Sequence, residues 1–282
     1  MQLTTLAWGF GLVEGPRTDA HNNLFFTDAR DDGVFRRSPD GHIETLLPRR
    51  KSVGGLLLHR DGGLIVTGPT VIHWNDGEAR TLLELDGVMA FNDCHADAEG
   101  RVIVGSIRSD PMDLKAERVA GECWRINADG TSTELYDDVR LTNGIGFSPD
   151  GSTLYHSDST ARALITHDYD ASSAEAPATN RRMIGGTSFE RGIPDGMCVD
   201  TDGNLWVAHV GGRRVVKLSP TGDMLDEIPV PAKWVTSVAF GGPEMTDMYI
   251  VTADNLEDEM RRGTIFHTVP GVAGVPTPLA TV

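Results

Sequence analysis

Ile193-Pro194-Asp195-Gly196-Met197-Cys198-Val199-Asp200-Thr201-Asp202-Gly203-Asn204-Leu205-Trp206-Val207 contains the structural unit from which most of the chain is built. A carboxylate between a proline and a glycine precedes an apolar run, an Asp-rich turn and a second apolar run. The Asp-x-Asp-Gly turn between two apolar runs reads as a hairpin, because glycine takes positive φ cheaply and aspartate hydrogen-bonds within its own turn. Asp195 then stands where a loop enters a sheet, a place from which rigid strands can present chemistry.

The same pattern recurs outward in both directions. It is found in Asp19 to Phe26, His59 to Val66, Asp97 to Val104 and Ser148 to Tyr155, with a degenerate copy from Gly241 to Val251. A second hairpin follows inside most copies, as in Val34-Phe35-Arg36-Arg37 turning through Ser38-Pro39-Asp40-Gly41 to Ile43. Val215-Val216-Lys217-Leu218 likewise turns through Ser219-Pro220-Thr221-Gly222. Each unit therefore predicts four short strands, and tandem units of about 47 residues predict an all-β, six-bladed β-propeller occupying residues 1–282 as a single domain. Either the first apolar segment, Leu3 to Trp8, or the last, Pro278 to Val282, would complete the final blade.

Composition agrees with a turn-rich sheet protein: 39% hydrophobic residues with 32 Gly and 15 Pro. A net charge of −16 argues against nucleic-acid binding, which draws on a surplus of Lys and Arg. Three cysteines, Cys94, Cys123 and Cys198, form neither a disulfide framework nor a zinc knot. The N-terminus lacks a basic, apolar leader, and no apolar run nears the ~18 residues of a membrane helix. The expectation is a cytoplasmic protein without a membrane partner, a monomer or small homo-oligomer acting on a small molecule.

Four loop-to-strand junctions carry oxygen-bearing side chains: Glu14-Gly15-Pro16, Asn92-Asp93, Asn143-Gly144 and Pro194-Asp195-Gly196. Taken singly, each also reads as an ordinary turn. On a propeller, however, the innermost strands bring such junctions to one point of the central channel. Two carboxylates and two amide oxygens form a hard-oxygen set for one divalent cation, Ca²⁺ first, with Mg²⁺ or Mn²⁺ as alternatives; Zn²⁺ would be unusual without His or Cys, though a catalytic site can accept it. His95 and His209 read as packing histidines, and His156 with Asp158 as holding strand register. Asp254-Asn255 could lend a supporting group, and Cys198 reads as a buried thiol. Met112 to Arg118, within the long connection from Arg108 to Glu122, suggests a helical turn or a lid over the site.

These motifs resemble the gluconolactonase/regucalcin family of senescence-marker-protein type lactonases. The resemblance rests on Leu12-Val13-Glu14-Gly15-Pro16, Phe91-Asn92-Asp93, Thr142-Asn143-Gly144-Ile145, Ile193 to Asp200, Gly203 to Ala208 and Thr236 to Gly242. It implies that Glu14, Asn143 and Asp195 ligate the metal, that Asn92 is a fourth ligand or a close partner, and that Asp195 is the catalytic base. The implied reaction is metal-assisted opening of a lactone or related ester. Asp93 would contact substrate or orient Asn92. Where sugar-lactone members carry an arginine two residues before the asparagine, this chain has Ala90. That change removes guanidinium donors and leaves an apolar wall, so a substrate less sugar-like than gluconolactone is expected, unless Arg108 or Arg191 restores polarity. Two other readings stay open: a lyase or isomerase that stabilises an enolate, and a non-catalytic calcium-binding propeller.

Overall fold

The computed structural model describes residues 2–31, 33–111, 113, 117–255 and 262–282. After β1 (Thr4–Ala7) come four separate antiparallel four-stranded sheets. The first holds β2 (Val13–Thr18), β3 (Leu24–Asp28), β4 (Gly33–Arg37) and β5 (Ile43–Pro48), and the second β6 (Leu56–Leu58), β7 (Leu64–Val66), β8 (Val71–Asn75) and β9 (Glu78–Leu83). The third holds β10 (Ala90–Ala96), β11 (Val102–Ile107), β12 (Gly121–Ile126) and β13 (Ser132–Val139). The fourth holds β14 (Thr142–Phe147), β15 (Thr153–Asp158), β16 (Ala163–Tyr169) and β17 (Ala178–Ile184).

The remaining strands are β18 (Ile193–Val199), β19 (Leu205–Val210), β20 (Arg214–Leu218), β21 (Met224–Pro229), β22 (Trp234–Gly241), β23 (Asp247–Ala253) and β24 (Ile265–Thr268). Together with β1 they form one eight-stranded sheet, where the sequence predicts two separate blades. The join is narrow: a single residue pair, Val210 with Trp234, links β19 to β22. The arrangement is all-β and propeller-like. Among the described residues there is no α-helix, only a 3₁₀ turn at Gly186–Phe189, and no helix is long and apolar enough to cross a membrane.

The turn chemistry explains why these strands begin and end where they do. Asp19, Asp97 and Asp200 act alike: each Oδ1 accepts the amides two and four residues on, at 2.8–3.1 Å. That satisfies the loop's backbone donors locally and releases the chain into the next strand. Apolar residues then alternate between the two faces of each sheet and meet those of the neighbouring sheet. Phe25 and Val34 pack with Leu56 and Ile72, and Ile103 and Cys123 with Ile145 and Leu154. Tyr155 and Leu164 pack with Val207 and Val216. Each such buried aliphatic or aromatic side chain contributes roughly 1.5–3 kcal/mol from burial.

β2 packs beside β6 and β22, β6 beside β10, β10 beside β14, β14 beside β18, and β18 beside β22. The first strands of the repeats thus close a ring around a channel. Of the two chain ends, it is the first that completes a sheet, since β1 pairs with β24. The final segment instead crosses one end of the ring, bridging at Gly274 to Asp200 and at Ala280 to His59. The helical turn expected at Met112 to Arg118 falls largely on residues 112 and 114–116, which lie outside the described residues.

Candidate active site at one end of the ring

The ring strands are irregular at the same level. The pairing register slips between Glu14 and Arg17, between Phe91 and Cys94, between Thr142 and Ile145, between Pro194 and Met197, and between Val235 and Ser237. Each slip opens the hydrogen-bond ladder and re-aims the residues within it, the usual effect of a bulge beside a functional site. Asn92, Asn143, Asp195 and Thr236 fall inside slips, and Glu14 sits at the edge of one. β6 alone keeps a regular register, and the glycines before it make room instead: a Cβ on Gly54 would lie 1.8 Å from Asn92 Oδ1. Gly144 and Gly196 serve the same closeness, because a Cβ would meet Met197 N at 2.5 Å and Ser237 Oγ at 2.1 Å.

The slipped residues surround one cavity of about 560 Å³, walled by Glu14, Asn92, Asn143 and Asp195 among others. A chain of hydrogen bonds runs around this end of the ring. Asn92 Nδ2 donates to the Thr142 carbonyl at 2.8 Å and to Asn143 Oδ1 at 2.7 Å. Asn143 Nδ2 donates to Ser159 Oγ at 2.7 Å, and Ser159 donates onward to the Pro194 carbonyl at 2.6 Å. Thr236 Oγ1 donates to the Val13 carbonyl at 2.6 Å, tying the last ring strand to the first. Behind the asparagines, His156 Nε2 meets Thr142 Oγ1, and its Nδ1 lies 2.9 Å from the Tyr136 hydroxyl. Each amide is thus held in one orientation, Asn92 by β14 and Asn143 by the loop after β15.

The electrostatics of this end are strained by negative charge. Burial, then Asp195, then Asp93 push the Glu14 carboxyl well above the ordinary carboxylate range. Burial, then Asp93, raise Asp195 in the same way. Asp195 Oδ1 is buried and has no hydrogen-bond partner, which is costly unless something else supplies positive charge or a proton. Among the described residues no group of three or more His, Cys, Asp or Glu is arranged to hold a metal ion. The donors that converge here are two carboxylates and two amides, with an unspent buried oxygen among them. That donor set fits a hard divalent cation.

Several expectations from the sequence are met in position, and others need correction. Ala90 lies on the cavity wall, paired with Ile107 and next to Met89, and Trp234 also lines the cavity, so the wall has an apolar part. Asp93 is not on the wall: its buried Oδ1 accepts the Cys94 amide at 2.7 Å, turning the carboxylate behind Asn92. Arg108 does not line the cavity either, because Glu122 Oε1 holds its Nε at 2.7 Å and the Asp86 carbonyl accepts from Nη1 at 3.2 Å. The arginines that do reach the wall are Arg30, whose Nη1 donates to the Asp254 carbonyl at 3.1 Å, and Arg118.

His209 is buried against Phe189, as a packing residue, and Asp158 accepts the Arg140, Thr160 and Ala161 amides. Cys198 is half-buried rather than buried. Trp234 was within reach of sequence reasoning, since it begins the sixth ring strand just as Asp195 lies near the start of the fifth. Ser159 and Arg118 carry no such positional signal.

The chain matches the family described as SMP-30/Gluconolactonase/LRE-like region over residues 12–254. Regucalcin of Xenopus laevis is 31% identical over 277 residues, covering 93% of this chain and 92% of its own. Pentonolactonase XacC of Haloferax volcanii is 31% identical over 250 residues, covering 86% of this chain and 81% of its own. Among solved structures, a luciferin-regenerating enzyme superposes with a TM-score of 0.86 at 25% identity, covering 99% of both chains. With the family match spanning most of the sequence and these relatives aligned nearly end to end, the chain belongs to the SMP-30/gluconolactonase/LRE-like family.

Proposed function

We propose that the protein is a divalent-metal-dependent hydrolase that opens a lactone or related ester less sugar-like than gluconolactone. In this reading the eight-stranded sheet counts as two blades joined at Val210 and Trp234, giving a six-bladed propeller that forms a single domain. The observation that carries the function is the convergence of Glu14, Asn92, Asn143 and Asp195 on one cavity whose wall is apolar at Ala90. A relative named as a pentonolactonase supports the lactone-opening class.

Glu14, Asn143 and Asp195 would hold the cation, Ca²⁺ first among Ca²⁺, Mg²⁺, Mn²⁺ and Zn²⁺, with Asn92 as a fourth ligand or as the donor that orients Asn143. A cation bound there supplies charge to polarise the ester carbonyl and stabilise the oxyanion. Asp195 takes the proton of the attacking water at its unpartnered oxygen. A cation lowers the basicity of a carboxylate that binds it, so the substrate must be intrinsically labile, which a strained lactone is and an amide is not. Met89, Ala90, Ile107 and Trp234 offer a ring substituent hydrocarbon contact in place of hydroxyl recognition. Three free cysteines suit the reducing cytoplasm that we assign to the protein.

The test is a panel of sugar, alkyl and aromatic lactones, assayed after chelation and re-addition of each cation. The expected result is cation-dependent turnover that favours the apolar lactones. Hydrolysis of sugar lactones alone would refute the substrate assignment, and an absence of turnover with every cation would refute the reaction.

A further inference from the structure

The ends of the ring strands away from the candidate active site frame a second cavity, of about 310 Å³. Its walls are largely apolar, with Phe147, Met197, Phe240 and Pro276 prominent. Arg17 of β2 also lines it. The Arg17 Nη1 donates to the carbonyl of its own neighbour Pro16 at 2.8 Å, and Nη2 reaches across the ring to the Cys94 carbonyl of β10 at 3.1 Å. Its Nε–H is buried without a partner, and the guanidinium makes no ion pair among the described residues.

Burial raises the Asp93 carboxyl, and the Arg17 charge pulls against that rise. Asp93 lies outside the cavity lining, however, and the polar groups on the wall add no counter-charge at that point. His95 Nδ1 donates to the Ala96 carbonyl at 2.7 Å, which leaves Nε2 unprotonated near Thr277 Oγ1. The Asp150 carboxylate is engaged by the Ser148 and Ser152 hydroxyls and the Ser152 amide. A half-buried cation with unspent donors, in a largely apolar cavity, is completed by an anion that brings its own apolar body. The net charge of −16 makes general attraction of anions an inadequate explanation for any binding there.

We propose that this second cavity is a binding site for a small carboxylate with an aliphatic or aromatic body, the carboxylate on Arg17 and the body against Phe147 and Phe240. The site is separate from the lactone-opening end, and its test uses no turnover. Benzoate and its neutral counterpart benzyl alcohol are titrated by calorimetry into the wild-type protein, Arg17→Gln and Ala98→Trp. Ala98 is an exposed residue on the cavity wall, so the tryptophan blocks the cavity without touching Arg17 and keeps the test decisive if Arg17→Gln fails to fold.

Benzoate should bind the wild type at least tenfold more tightly than benzyl alcohol. Arg17→Gln should erase that preference, and Ala98→Trp should weaken benzoate at least tenfold. Equal binding of the two ligands by the wild type, no saturable binding of benzoate, or unchanged benzoate binding in Ala98→Trp would each overturn the proposal.

Discussion

Five of the six ring strands, β2, β10, β14, β18 and β22, contribute to both ends of the ring, and the two ends differ in almost every respect. At their starts the pairing register slips, and the residues exposed by the slips are carboxylates, amides and a threonine. At their ends the register is regular, and the cavity is lined by Arg17, Phe147, Met197 and Phe240. Regular pairing spends the backbone's donors on the neighbouring strand and sends side chains alternately to the two faces. A slip releases that constraint, and in these five ring strands each slip lies at the acidic end. The comparison teaches that the chemistry resides in the interruptions of the sheet, while the sheet itself supplies position.

The sharpest way to break this comparison lies within one strand. Gly144 and Gly146 are both on β14, one in the slip and one beyond it. A Cβ on Gly144 would come within 2.5 Å of the Met197 backbone nitrogen, whereas one on Gly146 would meet a Val199 methyl at 3.3 Å. Gly144→Ala is expected to cost about 3 kcal/mol or more, or to prevent folding, and Gly146→Ala to cost about 1 kcal/mol or less. Denaturant unfolding of the two variants measures the difference. Equal costs would mean that the slipped end is no more tightly determined than the regular one.

The next largest effect is shared by both ends. Burial, aided by His167 and Arg181, holds His156 down to about 3, and burial, aided by Arg17, holds His95 down to about 4. In the unfolded chain both titrate near 6.5. As pH falls below that value the unfolded state takes up protons that the folded state refuses. Stability is therefore full above about 6.5 and declines toward 4, by about 1 kcal/mol per histidine per pH unit. His156→Gln and His95→Gln should each flatten the slope of stability against pH between 6.5 and 4.5. A slope unchanged in both would show that these rings are not the groups that resist protonation.

Much of this architecture could be read from the sequence where the determinants are local. Asp97 and Asp200 announce their hairpins because each satisfies its own turn, and β18 to β21 fall where the apolar runs predict them. The joining of β19 to β22 rests on one long-range pair and has no local signature. Glu14, Asn92, Asn143 and Asp195 could be recognised because each stands at the start of a ring strand. Asp93 and Arg108 could not be placed, since one depends on which way a slip turns a side chain and the other on an ion pair with Glu122. The second cavity depends on the final segment, Val275 to Pro278, crossing the ring end without any repeat pattern to foretell it.

Smaller effects refine the acidic end. Asn143→Ala should weaken Mn²⁺ binding, followed by titration calorimetry, by about tenfold or more, because it deletes a proposed ligand and leaves the Asn92 donor with one acceptor fewer. Phe147→Leu, on the same strand but at the regular end, should leave Mn²⁺ affinity unchanged. Equal responses would remove the distinction between the two ends. Ala90→Arg should shift the kcat/KM ratio of sugar to apolar lactones by about fivefold to tenfold toward the sugar, as hydroxyl donors return to the wall. An unaltered ratio would mean that Ala90 does not set the substrate class.

The most direct test of the central claim compares the chelated wild type with Asp195→Asn, assaying hydrolysis of an alkyl or aromatic lactone as Ca²⁺, Mg²⁺, Mn²⁺ or Zn²⁺ is restored. The wild type should be inactive after chelation and recover with at least one cation. Asp195→Asn, nearly isosteric but without the negative charge or the basic oxygen, should remain at least about a thousandfold below it with every cation. Turnover that survives chelation, or that returns in Asp195→Asn to the wild-type level, would contradict the account.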